Sequence, residues 1–90
     1  MMKKYKLRFQ SYLAPFTKEL RTRRRSTQER MAEQLRITTR SYSDLEREKS
    51  CFSGTSLIFL IILLTREELF GMQERLRELA ALEDEEDELD

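Results

Sequence analysis

The chain of 90 residues has no histidine and no tryptophan, one cysteine (Cys51), one proline (Pro15) and two glycines (Gly54 and Gly71). Without histidine there is no side chain whose ordinary pKa lies near neutrality, and the commonest metal ligand is missing. A lone cysteine forms no internal disulfide and no thiolate cluster. No Gly-rich phosphate loop and no nucleophile–base constellation is present, so the sequence implies neither an enzyme nor a cofactor. Few Gly and Pro residues mean few tight β-turns, and with 39% apolar and 38% charged residues the composition favours an all-α fold. The longest apolar run, Leu57 to Leu64, is far shorter than the roughly 20 residues a membrane span needs, so it reads as core or interface and no membrane partner is expected. No basic start leads into an apolar stretch and a small-residue cleavage site, which makes the cytoplasm the expected location.

What the chain does have is charge, and it is polarised. The net charge is zero, yet residues 1–49 hold 14 Lys and Arg against 6 Asp and Glu, whereas residues 50–90 hold 3 against 11. A basic half and an acidic half imply a surface for a polyanion, nucleic acid first, and a second surface that faces away from it or meets another protein.

Four segments emerge along the chain. Residues 1–13 read as a basic N-terminal arm, in which Lys3, Lys4, Lys6 and Arg8 alternate with Tyr5, Leu7 and Phe9; that alternation suits a short strand or an arm that orders on DNA. Residues 14–64 read as a four-helix unit. Its first helix, about Ala14 to Arg24, carries Pro15 in its opening turn. Its second starts near Gln28, after Ser26 or Thr27 as cap, runs to Leu35, and buries Met31, Ala32 and Leu35. The third runs from about Thr39 to Arg47 behind a Thr38 cap, with Tyr42 and Leu45 facing the core. After a loop around Gly54, the fourth spans Ser56 to Leu64, although periodicity alone does not separate this apolar run from a buried strand. A capping box of Thr65 and Glu68 opens a fifth helix over 65–82, with Leu69, Met72, Leu76 and Leu79 at helical spacing. The acidic residues 83–90 lack apolar surface to bury and are expected to be disordered.

The central segment Ser26 to Lys49, STQERMAEQLRITTRSYSDLEREK, resembles the lambda-repressor-like (Cro-type, XRE family) helix-turn-helix transcriptional regulators, a resemblance that extends over roughly Phe16 to Leu64. It rests on Leu20, Arg21, Gln28, Met31, Ala32, Leu35, Ile37, Leu45, Glu46, Arg47 and Lys49 together. The resemblance implies a five-helix DNA-binding fold in which Gln28 anchors a phosphate and the start of the third helix enters the major groove. The DNA-contacting residues it implies are Gln28, Thr38, Thr39, Arg40, Ser43, Asp44, Arg47 and Lys49. Of these, Arg40 is the first choice for reading guanine, and Asp44 either accepts from cytosine or orients Arg40. Arg23, Arg24 and Arg25 read as phosphate contacts or as a solvated face, and the family's pairing of a helix-one arginine with a late helix-three glutamate joins Arg21 to Glu46. The chain departs from the family where Arg36 replaces the usual glycine between helices two and three, which asks a non-Gly residue to adopt left-handed backbone, and where Glu48 replaces the usual glycine after helix three, which puts an extra negative charge close to the expected DNA backbone.

The fourth helix is apolar all round. With Leu57, Leu60, Ile61 and Leu64 facing the core, other faces remain uncovered and point to association. The expected partner is a second copy, joined through Ile58, Phe59, Ile62, Leu69, Met72, Leu76 and Leu79, with the fifth helix as the dimerisation helix; the alternative is that this helix folds back to complete a monomer. A twofold pair of such units places its recognition helices about 34 Å apart, matching palindromic double-stranded DNA. The sequence thus predicts a DNA-binding regulator, a repressor in the first instance, acting as a homodimer. The other function it admits is an antitoxin or similar interaction module whose acidic tail holds a partner protein.

Overall fold

The computed structural model describes the backbone of residues 5–89 and, within that span, all side chains except those of 6, 83 and 86–89. Every regular element among the described residues is an α-helix: α1 (Tyr5–Arg23), α2 (Gln28–Leu35), α3 (Thr39–Glu46), α4 (Gly54–Leu63) and α5 (Arg66–Leu89). None is long and apolar enough to cross a membrane. The all-α expectation holds, and α2 has the expected bounds.

The N-terminal segment differs from the sequence reading. Residues 5–13 of the expected arm belong to α1, which starts at Tyr5 rather than Ala14; residues 1–4 lie outside the described residues. Two patterns compete in this stretch. Tyr5, Leu7 and Phe9 alternate as in a strand, while Phe9, Leu13, Phe16 and Leu20 follow a helical stripe. The stripe prevails because it has something to pack against: Leu13 and Leu20 are buried, Phe16 lies against the core, and Leu7, off the stripe, is 63% exposed. Tyr5 stacks on Phe9 at 5.8 Å and Tyr12 tilts against Phe16 at 5.5 Å, both one helical turn apart. Pro15 consequently sits in mid-helix, where the missing N–H costs about 3 kcal/mol in an isolated helix. Burial on both sides of it offsets that cost.

What α1 packs against is α5, which runs antiparallel to it. At one end Arg24 and Arg23 pair with Glu68 at 2.7 and 3.3 Å. At the other, the Tyr5 hydroxyl donates to the Asp84 carboxylate. This pairing carries α5 through the stretch expected to be disordered, so that the helix ends at Leu89 rather than Leu82. It also corrects the dimer assignment. Met72 and Leu79, expected at an interface between copies, are 4% and 8% exposed inside the single chain, and Leu76 is half-buried against the same core.

Helix starts are set by side-chain caps. Thr27, Thr38 and Ser53 accept hydrogen bonds from the backbone N–H groups of Arg30, Ser41 and Ser56. Ser53 thereby moves the start of α4 to Gly54, two residues ahead of the expected Ser56. The Thr65–Glu68 capping box is complete: each side chain accepts from the other's backbone N–H, at 2.8 and 3.1 Å. On α4, Leu60 is fully buried and Leu57, Leu63 and Leu64 pack against the core. Ile61, expected inside, is 38% exposed, because the face that meets α2 is centred on Leu60.

The ends of α1, α2 and α3 share one device. Arg25, Arg36 and Glu48 have φ of 52°, 63° and 59°. In each case the left-handed residue and the next one donate back into the last turn: Arg25 to Thr22 and Ser26 to Arg21, Arg36 to Glu33 and Ile37 to Ala32, Glu48 to Leu45 and Lys49 to Asp44. Glycine normally takes this position, since a Cβ there costs about 1 kcal/mol. Glu48→Gly and Arg25→Gly are therefore expected to raise unfolding stability by up to about 1 kcal/mol each, read by thermal and urea melts. Arg36→Gly is expected to gain less, because the Arg36 guanidinium lies 4.6 Å from the Phe59 ring centroid and that contact is lost.

Candidate functional site

The site is built around one carboxylate. Glu46, at the end of α3, has a side chain only 4% exposed, and Arg21 of α1 grips it with two bonds at 2.7 and 3.2 Å. Gln28, the first residue of α2, donates its Nε2 to the same carboxylate at 3.0 Å. The Tyr42 hydroxyl donates to it from one turn back on α3. Burial by itself favours the neutral acid, but the donors from Arg21, Tyr42 and Gln28 outweigh it and hold the Glu46 carboxyl below its ordinary range. Burial, together with the bond to Glu46, pushes the Tyr42 phenol upward. The expected Arg21–Glu46 pair and the inward-facing Tyr42 are both present. The inclusion of Gln28 is new: one of its two amide hydrogens serves the chain itself rather than a partner.

This clamp fixes α3 with its opposite side outward. Thr38, Thr39 and Arg40 are exposed at the start of α3, Ser43 and Asp44 are half-buried along it, and Arg47 and Lys49 are exposed beyond its end. The residues singled out from the sequence thus lie on α3 and its two flanks, with Gln28 at the edge, drawn under by Glu46. Among the described residues the side chains of Arg40 and Lys49 have no hydrogen-bond or ion-pair partner, which leaves both cations available to an external group. Asp44 does not orient Arg40; it pairs with Arg47 at 3.4 Å, one turn along. Thr38 is committed as a cap, accepting from the Ser41 amide and donating to the Ser41 hydroxyl at 2.9 Å.

Arg23 and Arg24 pair with Glu68, whereas the Arg25 side chain is exposed and without a partner among the described residues. Sequence reasoning missed this because Glu68 was assigned only to its own helix cap; a capping glutamate has a second oxygen edge, and an antiparallel α1–α5 pair brings two arginines to it. Glu48 is exposed beside Lys49 and places negative charge at the foot of the same face.

In comparisons with known proteins, the chain matches no family model, no curated protein and no solved structure.

The carboxylate clamp has a pH signature. A carboxyl held below its ordinary value of 4.5 contributes stability that is present above that pH and is lost as pH falls through the folded value. Glu68, held low by the Thr65 cap and by Arg24 and Arg23 against the opposing effect of burial, acts in the same window. The melting temperature is expected to fall as pH drops below about 4.5 and to fall less steeply in Glu46→Gln. Arg21→Ala, which leaves Glu46 buried without its main partner, is expected to cost about 2–4 kcal/mol at neutral pH, measured by urea denaturation.

Proposed function

We propose that this chain is a sequence-specific DNA-binding regulator that acts as a homodimer, reading the major groove with α3. The observation that carries the proposal is the outward face of α3: Thr39 and Arg40 are exposed at its N-terminal end, while Glu46 and Tyr42 on its other side anchor it to α1 and α2. A helix held from behind at both flanks offers a rigid edge to a groove, and an unpaired arginine in its first turn suits a bidentate contact to guanine O6 and N7. The exposed Lys49 and Arg25 side chains are the candidate phosphate contacts in this reading. Gln28 retains a second amide hydrogen for a phosphate while bracing Glu46.

The dimer surface keeps Ile58, Ile62 and Leu69 of the set the sequence suggested and loses the rest. With Met72 and Leu79 inside the chain, the uncovered apolar residues on α4 and the first turns of α5 are Ile58, Ile61, Ile62, Leu69 and Phe70, of which Ile62 is 67% and Phe70 64% exposed. Phe59 is half-buried beneath Arg36 and drops out of the set. Helix α4 carries no charged residue, so two copies can meet across it with no unpaired ion to desolvate.

Binding sites selected from random DNA, followed by gel shifts, test the first claim. Arg40→Ala is expected to weaken the selected site about 5- to 150-fold, the equivalent of about 1–3 kcal/mol, and to relax specificity at one base pair. Lys49→Ala is expected to weaken all sequences alike and to lower the salt slope by about 1. Undiminished binding by Arg40→Ala rejects this face. Sedimentation tests the second claim: the chain is expected at twice its 10.9 kDa mass and Ile62→Glu at the monomer mass, with the helical circular dichroism of both unchanged.

A further inference from the structure

Beneath the α3–α4 connection lies a cavity of about 370 Å³ bounded by α1, α4 and α5. Leu13 and Met72, both buried, form its floor, and Phe9, Phe52, Leu57 and Leu76 supply apolar walls. Among the described residues, no charged side chain lines it. Its polar end is Gln10 with Cys51. Both amide hydrogens of Gln10 are committed, to the Glu48 and Ser50 carbonyls at 3.0 and 3.2 Å, and its carbonyl oxygen accepts from the Cys51 thiol at 3.0 Å. An amide oxygen has two lone pairs, so one acceptor site remains at the cavity's polar end.

The geometry points to a binding site for a small neutral apolar molecule carrying one hydroxyl donor, seated between α1, α4 and α5 with its hydroxyl on the Gln10 carbonyl. Size and polarity both select this class. A dry apolar cavity of roughly 150 Å³ accommodates benzene, so the volume here suits a bicyclic aromatic or a medium-length aliphatic alcohol. The absence of charge in the lining excludes a carboxylate or ammonium, which would lose its hydration without gaining a counter-ion. An apolar wall with a single fixed polar group is the usual build of a small-ligand pocket. Occupancy has a structural consequence at a distance. Gln10 holds the carbonyls of Glu48 and Ser50, in the connection after α3, through its amide hydrogens, so a ligand hydroxyl on its carbonyl oxygen leaves those bonds in place and any shift of Gln10 on binding is passed to that connection. Binding itself does not depend on the DNA reading; only its effect on operator affinity rests on it.

Titration of the DNA-free protein with 1-naphthol, followed by NMR, tests the proposal. Saturable shifts are expected at the side chains of Leu57, Met72 and Leu76 and at the backbone amides of Ser50 and Cys51. Leu57→Trp, which fills the space, is expected to raise the dissociation constant at least about tenfold, and Leu76→Phe serves the same purpose where the tryptophan variant no longer melts cooperatively. Glu29→Gln, exposed on α2 and outside the cavity lining, is expected to leave binding unchanged. Shifts confined to Ile58, Ile62 and Phe70, absence of saturation, or full binding by both filled variants would overturn the site, whatever the outcome of the DNA experiments.

Discussion

The arrangement depends on the burial of one negative charge. A carboxylate with a side chain 4% exposed is tolerated only when donors replace the water it has lost, and Glu46 draws its donors from three helices: Arg21 on α1, Gln28 on α2 and Tyr42 on its own α3. That requirement constrains orientation more than it adds stability. The two-pronged Arg21 contact fixes the roll of α3 about its axis, and the roll decides that Arg40, rather than Leu45, faces outward. An apolar contact in the same place would tolerate rotation by a fraction of a turn; a satisfied carboxylate does not.

Around this clamp the connections are short and strained. The segments joining α1, α2 and α3 turn through left-handed residues that carry side chains, Arg25 and Arg36, and α3 leaves through a third, Glu48. In a chain with two glycines, neither of them at these positions, the backbone accepts a Cβ where most chains would avoid one. The compensations are visible at Arg36, whose guanidinium bonds the Glu33 and Gln34 carbonyls and covers Phe59. They are absent from the Glu48 side chain, which makes no hydrogen bond or ion pair among the described residues, so the strain there is retained without local return. Gln10 restrains that segment from below through the Glu48 carbonyl instead.

How far the sequence was readable follows the locality of each signal. Caps at Thr38 and Thr65, the bounds of α2 and the inward face of Tyr42 depend on residues within a turn or two, and each is found where the pattern put it. The left-handed Arg36 came from the family resemblance. The Arg21–Glu46 pair is distant in sequence and came from family resemblance rather than from spacing. The misreadings concern α1 and α5. Tyr5 to Leu13 contains a helical stripe, but nothing nearby says that α5 will cover it; the acidic stretch after Leu82 looks unable to fold because the Tyr5 partner of Asp84 lies at the other end of the chain. Each helix completes the other's case, and a reading that takes one segment at a time sees neither.

That mutual dependence changes what the apolar residues mean. A stripe of Leu69, Met72, Leu76 and Leu79 on a separate helix would be an interface for another copy; folded onto α1, it becomes the second half of the core, and its demand for a partner is met within the chain for Met72 and Leu79. The demand that remains is smaller, at Ile58 and Ile62 on the uncharged outer face of α4, joined to Leu69 and Phe70. Because α4 also packs on α2 through Leu60, whatever covers its outer face is coupled through one helix to the body that presents α3. Under the proposed reading, association and groove contact share a rigid support, and the spacing between the two α3 faces is set by α4 together with the first turns of α5.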